Sequence, residues 1–363
     1  MTIKVPYVDL AAQSRSIRTE VLAAIEKVLD HGGYVLGKEV EEFESAFAQY
    51  CGTRFAVGVN SGFDAIFLSL RALGVGPGDE VITAGNSFIA SAAAIALTGA
   101  TPVLVDVRDD YNIDPAEVKR ALTAKTRAIL PVHLTGLPAD IDALSAIADD
   151  QRIPIIEDAA QAVGARYGGR RVGGLGFAGC FSLHPLKNLH AYGDGGMIST
   201  NNEKFYETLK MLRNHGLKNR EECEFWGFNS RLDTLQAAAL LVKLRHLEVW
   251  TEKRRAIAAE YNAGLKDVVK VPYDGPNTRA VFQTYVIQAE RRDALLTHLR
   301  NRGVDAKVHY AIPIFRQKAA EQLRTTLPVT ERLSARICSL PLFPELTQPQ
   351  IDTVISGVRS FYC

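Results

Sequence analysis

TPVLVDVRDDYNIDPAEVKRAL, residues 101–122, places a β-branched run directly before a helical pattern. Asp114 and Pro115 stand at the junction, and an aspartate N-cap followed by proline in the first turn is a helix-start signal. The same order recurs at EVITAG (80–85) and RAILPVHL (127–134), and another strand-like run, RIPIIED (152–158), follows. Strands that alternate with helices predict an α/β fold, with a mostly parallel central sheet flanked by helices on both faces.

The chain changes character after its first 200 residues. A long helical pattern covers 231–265, with a break expected near Trp250. It is followed by strand-like YVIQ, a helix, strand-like DAKVHY and a last helix. These patterns predict a large α/β domain over 1–248 and a smaller α+β domain over 249–363. The first ~20 residues are candidates for packing on the smaller domain.

Composition and charge narrow the function classes. Of the 363 residues, 47% are hydrophobic and 23% are charged, and the formal net charge is +1. This balance gives no electrostatic indication of a nucleic-acid or anionic-membrane partner. Neither a basic-then-apolar leader nor an apolar run of spanning length is present in the sequence, so we expect no signal peptide and no membrane span.

Cysteine and histidine usage favours a cytoplasmic protein without a metal site. An odd number of cysteines without a C-x-x-C pair predicts reduced thiols. The eight histidines include no H-E-x-x-H motif and no cluster with ligand spacing. The cysteines are Cys51, Cys180, Cys223, Cys338 and Cys363.

Residues that follow apolar strand runs are the first candidates for a site, because open parallel sheets bind ligands beyond the carboxyl ends of their strands. FAVGVNSGF leads from such a run into Ser61 and Gly62. Small residues at a helix N-terminus leave backbone N–H groups free to bind a phosphate. The alternative interpretation is an ordinary N-cap turn.

A second candidate is IPIIEDAAQAVGA, which delivers Glu157 and Asp158 to a strand end with Gln161 three positions beyond Asp158. A carboxylate in this place either caps the next helix or pairs with a buried cation, such as a protonated pyridine nitrogen. GGRRVGGLG (168–176) is glycine-rich, but no strand leads into it, so we interpret it as a turn and not as a dinucleotide site.

The third candidate is FSLHPLKNLHAYGDGGMIST (181–200), which holds Ser182 and Lys187. Lys187 is either a solvated loop lysine or a lysine at a pocket edge, where desolvation lowers its pKa and makes it a nucleophile. A phosphate cradle, a carboxylate and a lysine on one sheet together match the requirements of pyridoxal 5'-phosphate. That cofactor needs a Schiff-base lysine and an acid partner for its ring nitrogen.

Several motifs carry a resemblance that extends nearly from end to end. They are GKEVEEFESAFAQY, GDEVITAGNSFIASAAAI, EDAAQAVGARYGG, FSLHPLKNL with GDGGMIST, GFNSRLDTLQAA, VHYAIPIF and SLPLFPELT. In their order and spacing the chain resembles the sugar aminotransferases of the fold-type I pyridoxal-phosphate superfamily, which aminate nucleotide-linked keto sugars and keto-cyclitols. The resemblance implies the fold-type I architecture, this cofactor and transaminase activity.

The resemblance also implies roles for matched positions. Lys187 resembles the Schiff-base lysine, which moves a proton between substrate and cofactor, and Asp158 resembles the partner of the pyridine nitrogen. Gln161 is similar to a glutamine that contacts the ring hydroxyl, and Phe88 is similar to an aromatic residue that stacks on the ring. The other matched positions are the phosphate-binding Ser61, Gly62 and Ser182, their neighbour Phe63, and the pocket residues His184, His309 and Tyr310.

Asn229, in GFNSRLD, matches an asparagine that reaches the phosphate from a neighbouring subunit. The resemblance therefore implies a homodimer whose active sites are shared across the interface. The alternative for His184 is a packed loop histidine without a role in the pocket.

Some positions depart from the family pattern. Phe63 stands where many members have threonine, so one side-chain bond to the phosphate is expected to be lost. An aliphatic residue in this place is familiar from relatives that act on 3-keto sugars, which favours that class. Phe315 replaces a histidine and His190 replaces a commonly small residue, so both are expected to reshape the acceptor pocket. Lys187 excludes the related dehydratases, which have a histidine in its place.

The resemblance implies transfer of an amino group from an amino acid, L-glutamate by likeness, to a nucleotide-linked keto-deoxysugar. A 3-keto acceptor is favoured over a 4-keto acceptor, and the amino sugar would serve a surface polysaccharide or a natural product. The alternative acceptor is a keto-cyclitol, as in aminoglycoside pathways. A non-catalytic regulator would need a DNA-binding appendage or a broken site, and the sequence has neither.

Overall fold

The structure is a computed structural model that describes residues 3–323 and 325–362. Its strands are β1 Phe55–Val59, β2 Glu80–Ala84, β3 Thr101–Val105, β4 Thr126–Leu130, β5 Ile156–Asp158, β6 Arg166–Tyr167, β7 Arg170–Arg171, β8 Ala178–Ser182, β9 Gly196–Thr200, β10 Thr278–Arg279, β11 Tyr285–Gln288 and β12 Ile337–Leu340. Its α-helices are α1 Leu10–His31, α2 Lys38–Cys51, α3 Gly62–Ala72, α4 Ile89–Leu97, α5 Pro115–Ala121, α6 Ile141–Gln151, α7 Glu203–Leu212, α8 Thr234–Leu265, α9 Arg292–Asn301, α10 Pro328–Ser334 and α11 Gln348–Tyr362. Short 3₁₀ turns occupy Leu134–Gly136, Ile314–Arg316 and Lys318–Leu323.

The central sheet consists of two hydrogen-bonded parts, β3-β2-β4 and β5-β8-β9-β1, which lie side by side in the order β3-β2-β4-β5-β8-β9-β1. Parallel pairing joins β3, β2 and β4, and also joins β5 to β8. Isolated parallel bridges, Ile129–Ile155 and Val132–Asp158, connect the β4 and β5 segments. Strand β9 is antiparallel to both of its neighbours, β8 and β1. The predicted α/β fold with a mostly parallel central sheet is confirmed.

The central sheet is covered on both faces, as the continuous apolar runs of its strands require. Val81 and Ile82 are both fully buried, but they belong to different apolar clusters. Successive residues of a strand point to opposite faces, so these clusters lie on the two sides of the sheet. One cluster includes residues of α2, α6 and α8, and the other includes residues of α3, α4 and α7.

The predicted helix start at residue 114 is confirmed. The Asp114 side chain accepts a hydrogen bond of 2.9 Å from the Ala116 N–H, and Pro115 opens α5. This cap satisfies one of the backbone donors that a helix N-terminus leaves without a partner. The strand expected to begin at Thr101 also begins there.

Two predicted features of the second half are wrong. Helix α8 continues through Trp250, because that side chain is buried against Ile17 and Val21 of α1, and this contact supports the helix where the sequence pattern weakens. DAKVHY (305–310) forms only an isolated bridge between Lys307 and Ser339. A single bridge does not make a strand.

A further apolar cluster is built from β11, β12, α9, α11 and the last turns of α8. Val5 is 1% exposed, belongs to this cluster and bridges Val304, so the N-terminal segment packs here. The predicted domain boundary, 248/249, falls inside the continuous helix α8, which contributes Leu247 to one cluster and Ile257 to another. The division into two domains therefore stays a prediction.

Over the described ranges, no helix combines the length and the apolar character needed to cross a bilayer. Those ranges also hold no group of three or more His, Cys, Asp or Glu side chains placed to bind a metal ion. Cys363 lies outside the described residues. The remaining cysteines form no disulfide; they are the buried Cys51, Cys180 and Cys338 and the exposed Cys223.

Candidate active site

A cavity of about 400 Å³ opens where the carboxyl ends of β1, β5 and β8 meet the N-termini of α3 and α4. Its position is the one that open α/β sheets use for ligands, and its size is within the range of small-molecule sites. Eleven of the predicted site residues line it: Ser61, Gly62, Phe63, Phe88, Asp158, Gln161, Ser182, His184, Lys187, His309 and Tyr310.

One end of the cavity is formed by the first turn of α3. The Ser61 side chain caps this helix by accepting a hydrogen bond of 3.0 Å from the Asp64 N–H. The N–H groups of the first helical residues have no partner within the helix. A Cβ atom on Gly62 would lie 2.5 Å from the Cβ of Ser182, so only glycine allows this close approach. Backbone donors and a hydroxyl thus stand together, as an anion requires.

The aromatic ring of Phe63 lines the same end of the cavity. It stacks at 6.1 Å on Phe67, which in turn meets Phe228 edge-on. A phenyl ring has no polar donor, so the side chain after Gly62 offers an anion no hydrogen bond.

Asp158 is the last residue of β5 and is 4% exposed. One carboxylate oxygen accepts a hydrogen bond of 2.7 Å from Ser91 and the other accepts one of 3.2 Å from the Ala160 N–H. Burial raises the pKa of Asp158, and the Ser91 hydroxyl opposes this shift. A carboxylate has about four acceptor positions, so capacity remains for a further donor such as a ring N–H.

Gln161 connects two walls of the cavity. Its Oε1 accepts a hydrogen bond of 2.6 Å from the Thr135 N–H, and its Nε2 donates to the Tyr310 hydroxyl at 3.3 Å. Burial raises the pKa of Tyr310 to about 12, which keeps the phenol protonated. Phe88 tilts toward the Tyr310 ring at 5.6 Å and is 53% exposed, so its apolar face is available to a planar ligand.

Lys187 lies in the irregular segment between β8 and β9, here called the lysine loop (residues 183–195). Among the described residues, the side-chain amine of Lys187 forms no hydrogen bond and no ion pair. The backbone N–H of Lys187 donates to the His184 carbonyl at 2.9 Å. Burial lowers the pKa of Lys187, and the negative charge of Asp158 opposes this shift. A lysine whose pKa is lowered by burial supplies a larger fraction of nucleophilic amine.

The opposite wall comes from distant parts of the chain. His309 Nδ1 lies 2.9 Å from the Ser339 hydroxyl and 3.5 Å from that of Tyr7. Burial, followed by the charge of Lys187, lowers the pKa of His309 to about 4, so this imidazole is neutral at neutral pH. His184 is exposed at the cavity rim, where its Nδ1 accepts from the Leu186 N–H.

Sequence reasoning missed Ser91, Tyr7 and Thr284, which all line the cavity. Ser91 lies one helical turn after Phe88, on the same face of the helix, so its place in the cavity could have been predicted from the sequence. No sequence signal identifies Tyr7, because its contact with His309 joins positions 302 residues apart.

Neither His190 nor Phe315 lines this cavity, so the expectation that they reshape the acceptor pocket stays a prediction. His190 is 3% exposed and lies behind the lysine loop. Phe315 packs beside the buried Ile314. Asn229 is also outside the cavity; it is exposed and forms a bridge with Asn214.

The residues present fit pyridoxal 5'-phosphate. The cradle at Gly62 and Ser182 suits its phosphate, and the buried carboxylate of Asp158 suits its ring nitrogen. The amine of Lys187, which has no partner of its own among the described residues, suits its aldehyde. These groups stand around one cavity.

Comparison with known proteins agrees with this fit. The family model for the DegT/DnrJ/EryC1/StrS aminotransferase family matches residues 15–359. The dTDP-3-amino-3,4,6-trideoxy-alpha-D-glucose transaminase of Streptomyces venezuelae is 46% identical, over 99% of this chain and 97% of its own. The UDP-2-acetamido-2-deoxy-3-oxo-D-glucuronate aminotransferase of Pseudomonas aeruginosa is 40% identical, over 98% of this chain and 100% of its own.

The crystal structure of S. venezuelae DesV in complex with a ketimine intermediate superimposes with a TM-score of 0.97 at 46% identity, covering 100% of this chain and 99% of that one. The fold-type I architecture expected from the sequence is therefore confirmed, and so are transaminase activity and the cofactor, pyridoxal 5'-phosphate. The chain belongs to the DegT/DnrJ/EryC1/StrS aminotransferase family.

Proposed function

We propose that this transaminase transfers the amino group of L-glutamate to the 3-keto group of a nucleotide-linked keto-deoxysugar. The observation that carries the proposal is the convergence of Lys187, Asp158 and the Gly62 cradle on one cavity. The two relatives described above act, by their names, on sugars aminated at position 3 and carried on dTDP or UDP. That likeness supports a 3-keto acceptor. The use of the amino sugar in a surface polysaccharide or a natural product is a further part of the proposal.

Each residue of the cavity has a separate role in this proposal. When bound, pyridoxal 5'-phosphate supplies an electrophilic carbon and an electron sink. The Gly62 N–H and the Ser182 hydroxyl would bind its phosphate, and Asp158 would accept a hydrogen bond from its ring nitrogen. Lys187 Nζ acts as nucleophile and then carries the proton to and from the substrate carbon. Phe88 would stack on the ring and exclude water from that side.

The acceptor is expected to enter from the rim that carries His184. Together with His309 and Tyr310, this residue offers polar groups for sugar hydroxyls, whereas Leu186, 46% exposed, adds an apolar surface. An apolar surface beside polar groups suits a sugar that has lost some of its hydroxyls.

We also propose a homodimer in which Asn229 completes the partner's phosphate site. Asn229 is exposed, and Trp226 nearby is 94% exposed, which is unusual for tryptophan on a free surface. The phosphate end within one chain gains no donor from Phe63, so an amide from a second copy has a use there. The described thiols without disulfides support a cytoplasmic setting.

The function is tested on purified protein reconstituted with pyridoxal 5'-phosphate. L-Glutamate should convert the cofactor to its amino form, as followed by absorbance, and a dTDP- or UDP-linked 3-keto sugar should restore the starting spectrum. A 4-keto regioisomer and a keto-inositol are the matched comparisons. Restoration by the keto-inositol alone would assign the cyclitol class, and no response to glutamate would require another donor.

The shared site is tested by mixing two variants. In a shared site, Lys187 comes from one chain and Asn229 from the other, so a dimer of one Lys187→Ala chain and one Asn229→Ala chain has one intact site. Half of the dimers in a random equal mixture are of this kind, so one site in four is intact. Co-refolded mixtures should therefore regain up to a quarter of the native activity. Mixtures that stay as inactive as their components, or a monomer in light scattering, would contradict the shared dimer.

A further inference from the structure

Lys243, in the middle of α8, is a fully buried lysine outside the active-site cavity. Buried lysines are rare unless they are paired. No carboxylate of the described residues lies within ion-pair distance of its ammonium group. Instead, its Nζ donates to the His190 carbonyl at 2.9 Å and stands 3.6 Å from the centre of the Tyr192 ring. Burial lowers the pKa of Lys243 to about 7. Burial of this amine without a carboxylate partner is energetically unfavourable, which indicates that its contacts serve a function.

The contacts of Lys243 lead to the active-site lysine. The His190 ring lies with Nδ1 3.1 Å from the Lys187 carbonyl oxygen. A carbonyl can only accept, so Nδ1 carries the hydrogen. Burial lowers the pKa of His190 to about 3, so the ring is neutral and has one N–H to donate. Two hydrogen bonds thus connect Lys243 to the backbone of Lys187 through a single residue.

The same face of α8 holds the lysine loop at another point. Gln236, two turns before Lys243, accepts a hydrogen bond of 2.7 Å from the Tyr192 N–H. The loop has no helix or strand of its own over residues 183–195. Side chains of α8 therefore supply anchoring that regular structure does not.

We propose that Lys243 and His190 are positioning residues, which hold the backbone of Lys187 so that its amine stays at the cavity wall, aimed at the cofactor. The inference rests on the assignment of Lys187 as the cofactor-binding lysine and is independent of the sugar acceptor. It also gives a role to His190, which departs from the family pattern, because the His190 ring contacts the Lys187 carbonyl. Neither residue touches the cavity.

The first test is Lys243→Met, with Lys253→Met as the control on an exposed position of the same helix. Removing a buried charge without a carboxylate partner leaves the fold intact or more stable, so the melting temperature should not fall. The rate at which the Lys187 amine condenses with the aldehyde of added pyridoxal 5'-phosphate, releasing water, should fall about tenfold, as one hydrogen-bonded anchor is lost. The control should behave like the native protein in both measurements.

The second test compares His190→Ala with His190→Asn. An asparagine Nδ2 stands near the place of the histidine Nδ1 and can still donate to the Lys187 carbonyl. Condensation should therefore be slow in the alanine variant and largely restored in the asparagine variant, and kcat should follow while the KM for glutamate stays nearly constant. If His190→Ala does not fold, Lys243→Met and His190→Asn decide the question.

Native condensation rates in Lys243→Met would overturn the proposal. So would an asparagine variant as slow as the alanine variant at an equal melting temperature. Because the readout needs only the cofactor, a wrong sugar acceptor would leave these outcomes unchanged, and the two proposals fail separately.

Discussion

The carboxylate and the amine of the site are held in different ways. Asp158 ends a strand of the central sheet, and its oxygens are bonded by Ser91 on the neighbouring helix and by the N–H two residues ahead. Lys187 lies in an irregular loop, and the anchor at His190 comes from Lys243, 53 residues further along the chain.

This difference shows which parts of the site tolerate change. A strand end is fixed by the hydrogen bonds of the sheet, so a single side chain can be altered without moving the backbone. A loop is fixed by a few long-range side-chain contacts, and the loss of one contact lets the loop shift. We expect substitutions at the strand end to change electrostatics and substitutions behind the loop to change geometry.

The largest expected effect is that of Lys187→Ala. Without the amine, the site loses the group that acts as nucleophile and proton carrier, and kcat should fall by about 10³-fold. Single-turnover absorbance changes with glutamate measure this loss, and Lys253→Ala is the matched exposed control. A loss smaller than tenfold would mean that another base acts here.

Asp158→Asn should reduce kcat by about 10²–10³-fold while the cofactor stays bound. The amide keeps the shape and the Ser91 contact, but it has no charge to balance a protonated ring nitrogen. Stopped-flow kinetics at saturating cofactor give the rate, and equilibrium dialysis gives cofactor retention. Asp149→Asn, on the exposed face of α6, is the control. Native rates in Asp158→Asn would refute the pairing.

Ser91→Ala should have an intermediate effect, mainly on the pH profile. The Ser91 hydroxyl stabilises the charged carboxylate, so its removal raises the pKa of Asp158 further. Activity that needs the ionised Asp158 carboxylate is then lost at a higher pH as the solution is acidified. We expect the acidic limb of kcat to move upward and Ser91→Thr, which keeps the hydroxyl, to retain the native profile. An unmoved limb in Ser91→Ala would argue against this coupling.

The smallest effect concerns stability and Lys243. Its pKa falls from 10.5 to about 7 on folding, so between these values the unfolded chain binds the proton and the folded chain does not. The free energy of unfolding therefore rises with pH in this window and is lowest, for this group, below about pH 7. The groups in contact with the ammonium are the His190 carbonyl and the Tyr192 ring.

Lys243→Met should lack this pH dependence. Its stability advantage over the native protein should be largest at about pH 6 and should shrink by about pH 9.5 in urea denaturation. An advantage that stays constant over this range would show that the buried lysine remains charged in the folded state.

Much of the fold followed from the sequence because strands and caps are local. β-Branched runs identified the strands near Thr101 and Glu80, and Asp114 with Pro115 marked a helix start. The expected break near Trp250 failed because a buried contact with α1 supports the helix there. Local patterns contain no information about such a contact.

The sequence by itself determined the alternating α/β order, the strand-end position of Asp158 and the presence of an isolated lysine in a glycine-rich loop. Periodicity and capping are properties of neighbouring residues, so they can be read along the chain. Only the tertiary structure decided that Tyr7 reaches the cavity, that Ser91 bonds Asp158 and that Lys243 stands behind Lys187. These contacts join distant positions, and folding alone brings them together because each depends on how whole elements pack.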